Sequence, residues 1–345
     1  MAKIIKTAGV VLVSLITAAA IGAVWLYNSG FTLDEPTYIY IDRNDNIDSV
    51  EHKIKETCHP QSMRAFQAWA TLLKLKGRIR TGKYEVTANM MMMDLVRNIR
   101  NHNEQPIKMV VPSVRTMPEM AKRLSQQLMI DSAEIANYID ETAHLNNWGY
   151  TQATLPAFFI PNTYEVYWDL SVEDLFERLQ KENHAFWNEK RLAKLEEAGE
   201  YTGKKLTKEE VATLASIIDS ETANNAEKPT IAALYMNRLR LGMPLQSDPT
   251  VKFALQDWGL RRILHKHLEI DSPYNTYKNT GLPPGPICVP SIAGIEAVLN
   301  HDKNNYIYMC AKEDFSGTHN FATNYAEHQK NAARYVKALN QRGIR

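Results

Sequence analysis

The stretch SIIDSETANNAEKPTIAALYMNRLRLGMPLQSDPT, residues 216–250, decides how the C-terminal half of this chain is organised. It opens as the end of an apolar helix and then places Asp219 and Glu221 where isoleucines have been buried. The helix begins upstream at Thr207, which with Glu210 forms a T-x-x-E capping box. Val211, Leu214, Ala215 and Ile218 make its apolar stripe. A second helix is predicted from Pro229, with Ile231, Ala232, Leu234, Tyr235 and Leu239 periodic. Gly242 ends it, Pro244 prevents its continuation, and LQSDPT follows as a dense polar turn.

At about 100° per residue, Glu221 projects roughly 20° from Leu214, at the margin of the stripe. Asp219 falls at the opposite margin, so the two acids diverge and do not share one proton. A Glu beside buried leucines loses hydration. That favours its neutral form and raises its pKa, as a general acid needs at neutral pH. The competing reading is a helix end carrying two solvated acids.

Outward from this stretch, the C-terminal side is rich in helix with short strands. Residues 171–200 read as one long charged helix or two, 291–299 as a helix, 305–311 as a strand and 324–339 as a closing amphipathic helix. SPYNTYKNTGLPPGPICVPS, residues 272–291, holds five prolines and no regular period. A loop this long and stiff shapes a site. Tyr274, Asn275, Thr276 and Tyr277 there offer the rings and hydrogen-bonding groups that contact sugars. On the N-terminal side, TYIYID alternates as a strand, residues 45–76 read as helix divided at His59-Pro60, and 77–86 as a turn into a strand. A short helix at 91–100, a buried strand at 106–112 and an amphipathic helix after Thr116 follow. FFIPNTYEVYWD, residues 158–169, reads as strand or loop.

The run from Thr7 to Tyr27 carries no charge, and about 20 apolar residues suffice to cross a bilayer core. Lys3 and Lys6 precede it, Trp25 and Tyr27 sit at its far end, and Asp34 and Glu35 follow. The positive-inside rule leaves the N-terminus in the cytoplasm and the remainder outside. A cleaved signal peptide is the alternative. The 345 residues carry a formal charge of +1, so no basic excess argues for nucleic acid. Three cysteines, Cys58, Cys288 and Cys310, make no disulfide framework, although one pair has the means to form. No CxxC or HExxH spacing is present, and His265 and His267 read as a surface pair, so no metal or organic cofactor is expected. The expected fold is α+β. A transmembrane anchor occupies residues 1–30, a small membrane-proximal α+β unit 31–105, and a helix-rich region with short strands 106–345.

Residues 214–255, the loop 272–291 and HNFATNYAEHQK, residues 319–330, together resemble the endolytic murein transglycosylases of the YceG-like family. A weaker echo lies in FFIPNTYEVY. The resemblance implies a single-pass inner-membrane enzyme that cuts peptidoglycan glycan strands internally. It implies a LysM-like glycan-binding element beside the catalytic part, and contact with peptidoglycan synthases. The family's wording at the helix end is E-K-E-T. Its second glutamate, carried over as catalytic, matches Glu221, while Asp219 stands in place of the first. Ser247 stands where the family has Thr in L-Q-T-D-P-T, and Asn162 where it has Asp in P-D-T-Y.

The resemblance also implies a mechanism. Neutral Glu221 protonates the oxygen between MurNAc and GlcNAc, then accepts the proton of the MurNAc 6-hydroxyl as that hydroxyl closes a 1,6-anhydro ring. Gln246, Ser247, Asp248, Asn275 and Tyr277 would orient the sugar. Two alternatives stay open. One is a muramidase that hydrolyses the same bond with Asp248 as partner, and the other a non-catalytic peptidoglycan-binding or division scaffold.

Overall fold

The computed structural model describes residues 2–260 and 263–343. The elements run α1 (Ala2–Asn28), β1 (Thr37–Ile41), α2 (Ile47–Thr57), α3 (Met63–Leu72), β2 (Gly82–Val86), α4 (Met92–Asn101) and β3 (Ile107–Val111). Then come α5 (Met117–Ser125), α6 (Ser132–Asp140), α7 (Thr142–Trp148), β4 (Asn162–Val166), α8 (Val172–Phe186) and α9 (Glu189–Thr202). The last third holds α10 (Lys208–Glu221), α11 (Lys228–Arg240), α12 (Asp248–Leu255), α13 (His265–Leu268), α14 (Ile292–Leu299), β5 (Tyr308–Ala311), β6 (His319–Ala322) and α15 (Tyr325–Gln341). Among the described residues the strands pair in twos, as β1–β2, β3–β4 and β5–β6. This is the helix-rich α+β organisation that the sequence predicts.

The chain divides into two compact units. The first holds residues 1–109 and two later segments, 127–130 and 164–170. Those two segments lie beyond the boundary near residue 105 that the sequence suggests. Each returns to make local contacts: the Met129 N–H donates to the Trp168 carbonyl at 2.9 Å, and the Trp168 ring meets Tyr40 edge-on at 5.1 Å. Within α1, residues 9–28 have a mean hydropathy of 2.3, long and apolar enough to cross a membrane. Val10, Leu12, Leu15, Ile16, Ile21, Val24 and Tyr27 expose their apolar side chains along this helix, while Leu26 packs against the core. Antiparallel β1 and β2 pair Ile39 with Tyr84, and each strand alternates buried with less buried residues, as a sheet with one wet face must. Ile39, Ile41, Ile54, Phe66, Leu75 and Leu95 fill the core behind that sheet.

The second unit is built around α10. The capping box at its start is formed as predicted: the Glu210 N–H donates to Thr207 Oγ1 at 3.2 Å, and the Thr207 N–H donates to Glu210 Oε2 at 2.8 Å. Every residue from Val211 to Ile218 is buried. A helix enclosed on all sides is a core element, and α10 packs against α11, α12 and α14. Thr222 leaves the helix in extended conformation, so Glu221 is its last residue. The mount under Glu221 is therefore held on every flank while its tip is left open.

The cysteines are free, with Cys58 and Cys288 buried. Burial pushes the Cys288 thiol up to about 12, which keeps it neutral. The aromatic-rich segment before β4 is core: the Trp148 and Phe176 rings stack at 5.3 Å and the Phe158 and Phe176 rings at 6.0 Å.

Candidate active site

The two acids at the end of α10 have separate surroundings. Asp219 accepts the Ser291 N–H at 2.6 Å and the Ser291 hydroxyl at 2.8 Å. Its other partner is Lys228 Nζ at 2.7 Å. It thus joins the C-terminus of α10 to the first turns of α11 and α14. Gly294 makes room, because a Cβ there would lie 2.6 Å from an Asp219 oxygen. Every one of these contacts is structural.

Glu221 faces a cavity of about 230 Å³ that also takes in Tyr235, Arg238, Asp248, Tyr277 and His319. The Tyr235 hydroxyl donates to Glu221 Oε1 at 2.7 Å and the Ser247 hydroxyl to the same oxygen at 2.5 Å. Among the described residues, no hydrogen bond reaches Oε2. Burial pushes the carboxyl above the usual range. The two hydroxyls, together with His319, pull the other way, and the nearby Asp248 charge adds to the rise. Burial and the facing Glu221 push the Tyr235 hydroxyl well up, so it stays a donor. A glutamic acid fixed through one oxygen, with the other open to a cavity, is placed to give and take back a proton.

The sequence-predicted contact residues divide. Gln246 takes a left-handed conformation at φ 52°, lines the cavity, and receives Arg238 Nη1 on its side-chain oxygen at 3.4 Å. Ser247 is buried and holds Glu221. Asp248 is exposed, lines the cavity, and accepts the Tyr277 hydroxyl at 2.6 Å. Asn275 is not brought to the cavity. It is fully buried, its amide donates to the Leu268 and Ile270 carbonyls at 2.8 and 2.9 Å, and its oxygen accepts the Tyr277 N–H at 3.0 Å. It shapes the loop that carries Tyr277. Neighbouring Thr276 ties that loop to the polar turn, accepting the Gln246 and Ser247 N–H groups at 3.0 Å each.

Three cavity residues escape the sequence reading. Tyr235 counts there only as an apolar position of α11. Arg238, one turn on, is 7% exposed. Among the described residues its guanidinium bonds uncharged oxygens, including the Ile307 and Leu245 carbonyls at 2.7 Å each. His319 opens β6, where its N–H donates to Glu227 Oε1 at 2.7 Å and its Nδ1 lies 3.0 Å from Glu227 Oε2. Tyr235 and Arg238 stand three apart on α11, a spacing that the near-complete burial of that helix leaves indistinguishable from core.

The first unit holds the one His-Glu-Asp group among the described residues whose atoms are close enough to share an ion. His102 Nε2 lies 3.2 Å from both Glu104 Oε1 and Asp169 Oδ2. Burial and a hydrogen bond shared with Asp169 push Glu104 up to about 8. Burial also acts on Asp169, but hydrogen bonds from Thr81 and Glu104 and the His102 charge outweigh it and hold Asp169 low. The pair holds one proton between two carboxyls.

A helix-mounted acid open to a polar cavity has the geometry of a proton donor, and the family model gives the class. Residues 39–334 match the YceG-like family, and the chain belongs to it. It is 37% identical over 174 residues to an endolytic murein transglycosylase of Bacillus subtilis strain 168, a match covering 50% of this chain and 46% of that protein. A protein of the same description from Streptococcus pneumoniae D39 is 37% identical over 139 residues, 39% of this chain and 25% of that one. The matches span less than half the length of these relatives. A crystal structure of a YceG-like protein from Listeria monocytogenes superposes with a TM-score of 0.55 at 25% identity, covering 86% of this chain and 99% of that one.

Proposed function

We propose that this chain is an endolytic murein transglycosylase, and that Glu221 carries its chemistry. The observation that bears most weight is the state of Glu221: a raised carboxyl, anchored through Oε1 and open at Oε2. Protonated Oε2 donates to the glycosidic oxygen as the MurNAc C1–O bond breaks. The carboxylate so formed accepts the proton of the MurNAc 6-hydroxyl while its oxygen bonds C1. Bond order and protons balance without water, and the product ends are 1,6-anhydroMurNAc. Tyr235 and Ser247 steady the carboxylate in the middle of the cycle. Asp248, oriented by Tyr277, places negative charge near the oxocarbenium-like centre.

One observation favours a second reading. Asp248 lines the same cavity as Glu221, as a residue activating water would in a muramidase. Mass spectrometry of products from uncrosslinked nascent strands separates the two. Anhydro ends, lost in Glu221→Gln, support the transglycosylase, and reducing MurNAc ends support the hydrolase. A chain that binds strands, never cuts them, and keeps its cellular role as Glu221→Gln would be a scaffold.

In this reading α1 anchors the enzyme in the cytoplasmic membrane with its N-terminus inside. The site then acts where synthases release new strands, and its cuts limit their length. The succession β1, α2, α3, β2 with antiparallel strands supports a LysM-like glycan-binding role for the first unit.

A further inference from the structure

A second cavity, of about 490 Å³, is lined in part by residues next in sequence to those that line the first. Asp219 and Ser220 line it, while Glu221, the next residue, lines the Glu221 cleft. Pro249 lines it, while Asp248 lines the cleft. The end of α10 and the start of α12 therefore form one partition with a cavity on either side. A ligand in the Glu221 cleft whose substituents reach around this partition would enter the second cavity.

The second cavity carries two basic groups without acidic partners. Arg115 and Lys252 line it, and neither has a carboxylate within ion-pair distance among the described residues. The Arg115 guanidinium lies 5.6 Å from the centre of the Trp258 ring, which forms another wall. The two acids that reach the cavity are already engaged, Asp219 by Lys228 at 2.7 Å and Glu119 by Arg123 at 3.7 Å. Two positive charges are thus left for a ligand, in a mostly polar cavity that also takes in Val114, Ile287 and the neutral Cys288 thiol.

The sugar backbone of murein is uncharged where its lactyl groups are amidated. The negative charge of such a strand sits on the peptides that hang from those lactyl groups. We propose that this cavity is a stem-peptide subsite, in which Arg115 and Lys252 bind peptide carboxylates and Trp258 packs on the peptide chain. The proposal rests on the murein reading of the Glu221 cleft and adds to it a recognition of strands that still carry their peptides.

The test compares two substrates on the full chain in detergent: uncrosslinked strands with free peptide carboxylates, and the same strands with those carboxylates converted to methylamides. Wild type is expected to show a KM about tenfold higher on the neutralised strands, with kcat unchanged. Arg115→Gln combined with Lys252→Gln is expected to raise KM about tenfold on the acidic strands and to erase the distinction between the two. An unchanged KM on acidic strands, or an equal rise on both, overturns the subsite. Calorimetric titration with a soluble disaccharide-pentapeptide gives a readout that needs no cleavage. Weaker binding by the double variant upholds the subsite even if neither strand is cut, an outcome that would sink only the transglycosylase reading. Unaltered binding overturns the subsite whatever the cleavage result. Circular dichroism confirms that the double variant is folded.

Discussion

Among the described residues, two carboxyl groups are pushed toward their neutral forms, Glu104 in the first unit and Glu221 in the second. Glu104 faces another acid. Its proton is shared with Asp169, its Oε2 accepts the Lys83 N–H at 3.2 Å, and its side chain is 3% exposed. Glu221 faces two hydroxyls on one oxygen and a cavity on the other. Burial raises both groups, but only one has somewhere to deliver its proton. A perturbed acid marks a site when its geometry leaves an oxygen open, and marks a structural lock when every oxygen is engaged.

The comparison breaks most directly at Glu221. Glu221→Gln is expected to lower strand cleavage by about 10²–10⁴-fold and to keep the fold. It should also make the protein less sensitive to rising pH, because a buried acid with a raised pKa costs stability once it ionises. Near-normal cleavage by this variant would put the chemistry elsewhere. Asp219→Ala leaves Lys228 buried without its partner, and a loss of about 3 kcal/mol in urea unfolding is expected. A loss of activity without that destabilisation would mean that Asp219 does more than hold helices together.

Tyr235→Phe removes one donor to Oε1. Cleavage is expected to fall about tenfold, and the basic limb of the pH–rate profile to move upward, because the lost bond favoured the charged form. A limb that moves downward or stays fixed would break the assignment of Glu221 as the general acid. The remaining test concerns stability alone and belongs to Glu104. Its folded pKa is raised to about 8 from an ordinary 4.5. The stability it contributes is full below about 4.5 and lost as pH rises through about 8. Thermal melts of Glu104→Gln should lack that decline, and an identical decline would place the proton on another group.

Much of the scaffold is legible in the sequence because its signals are local. The capping box at Thr207, the break at His59-Pro60 and the alternation of TYIYID act over a few residues, and each corresponds to an observed helix start, helix break or strand. The start of α12 was not legible. LQSDPT reads as a turn, yet Pro249 falls in the first turn of a helix, a position where its missing N–H costs nothing. The site was legible at the Glu221 helix end and in the polar turn, but not at its far wall. Tyr235 and Arg238 sit on α11, which is buried nearly all round, so no amphipathic period separates its core side chains from its cavity side chains. His319 is set by a contact with Glu227, 92 residues away in the chain. Asn275 had the chemistry of a sugar contact, but it spends every polar atom on its own loop.

The position of Glu221 as the last residue of α10 has a consequence of its own. The peptide dipoles of a helix sum to a partial negative charge at its C-terminus. An anion at that end is repelled by the backbone itself, whatever side chains surround it. Fourteen residues of aligned peptides thus press Glu221 to keep its proton, and a buried helix, shielded from solvent, passes that pressure on with little screening. The same acid moved to the opening turn of a helix would meet the reverse field and ionise early. The architecture loads this acid before any substrate arrives.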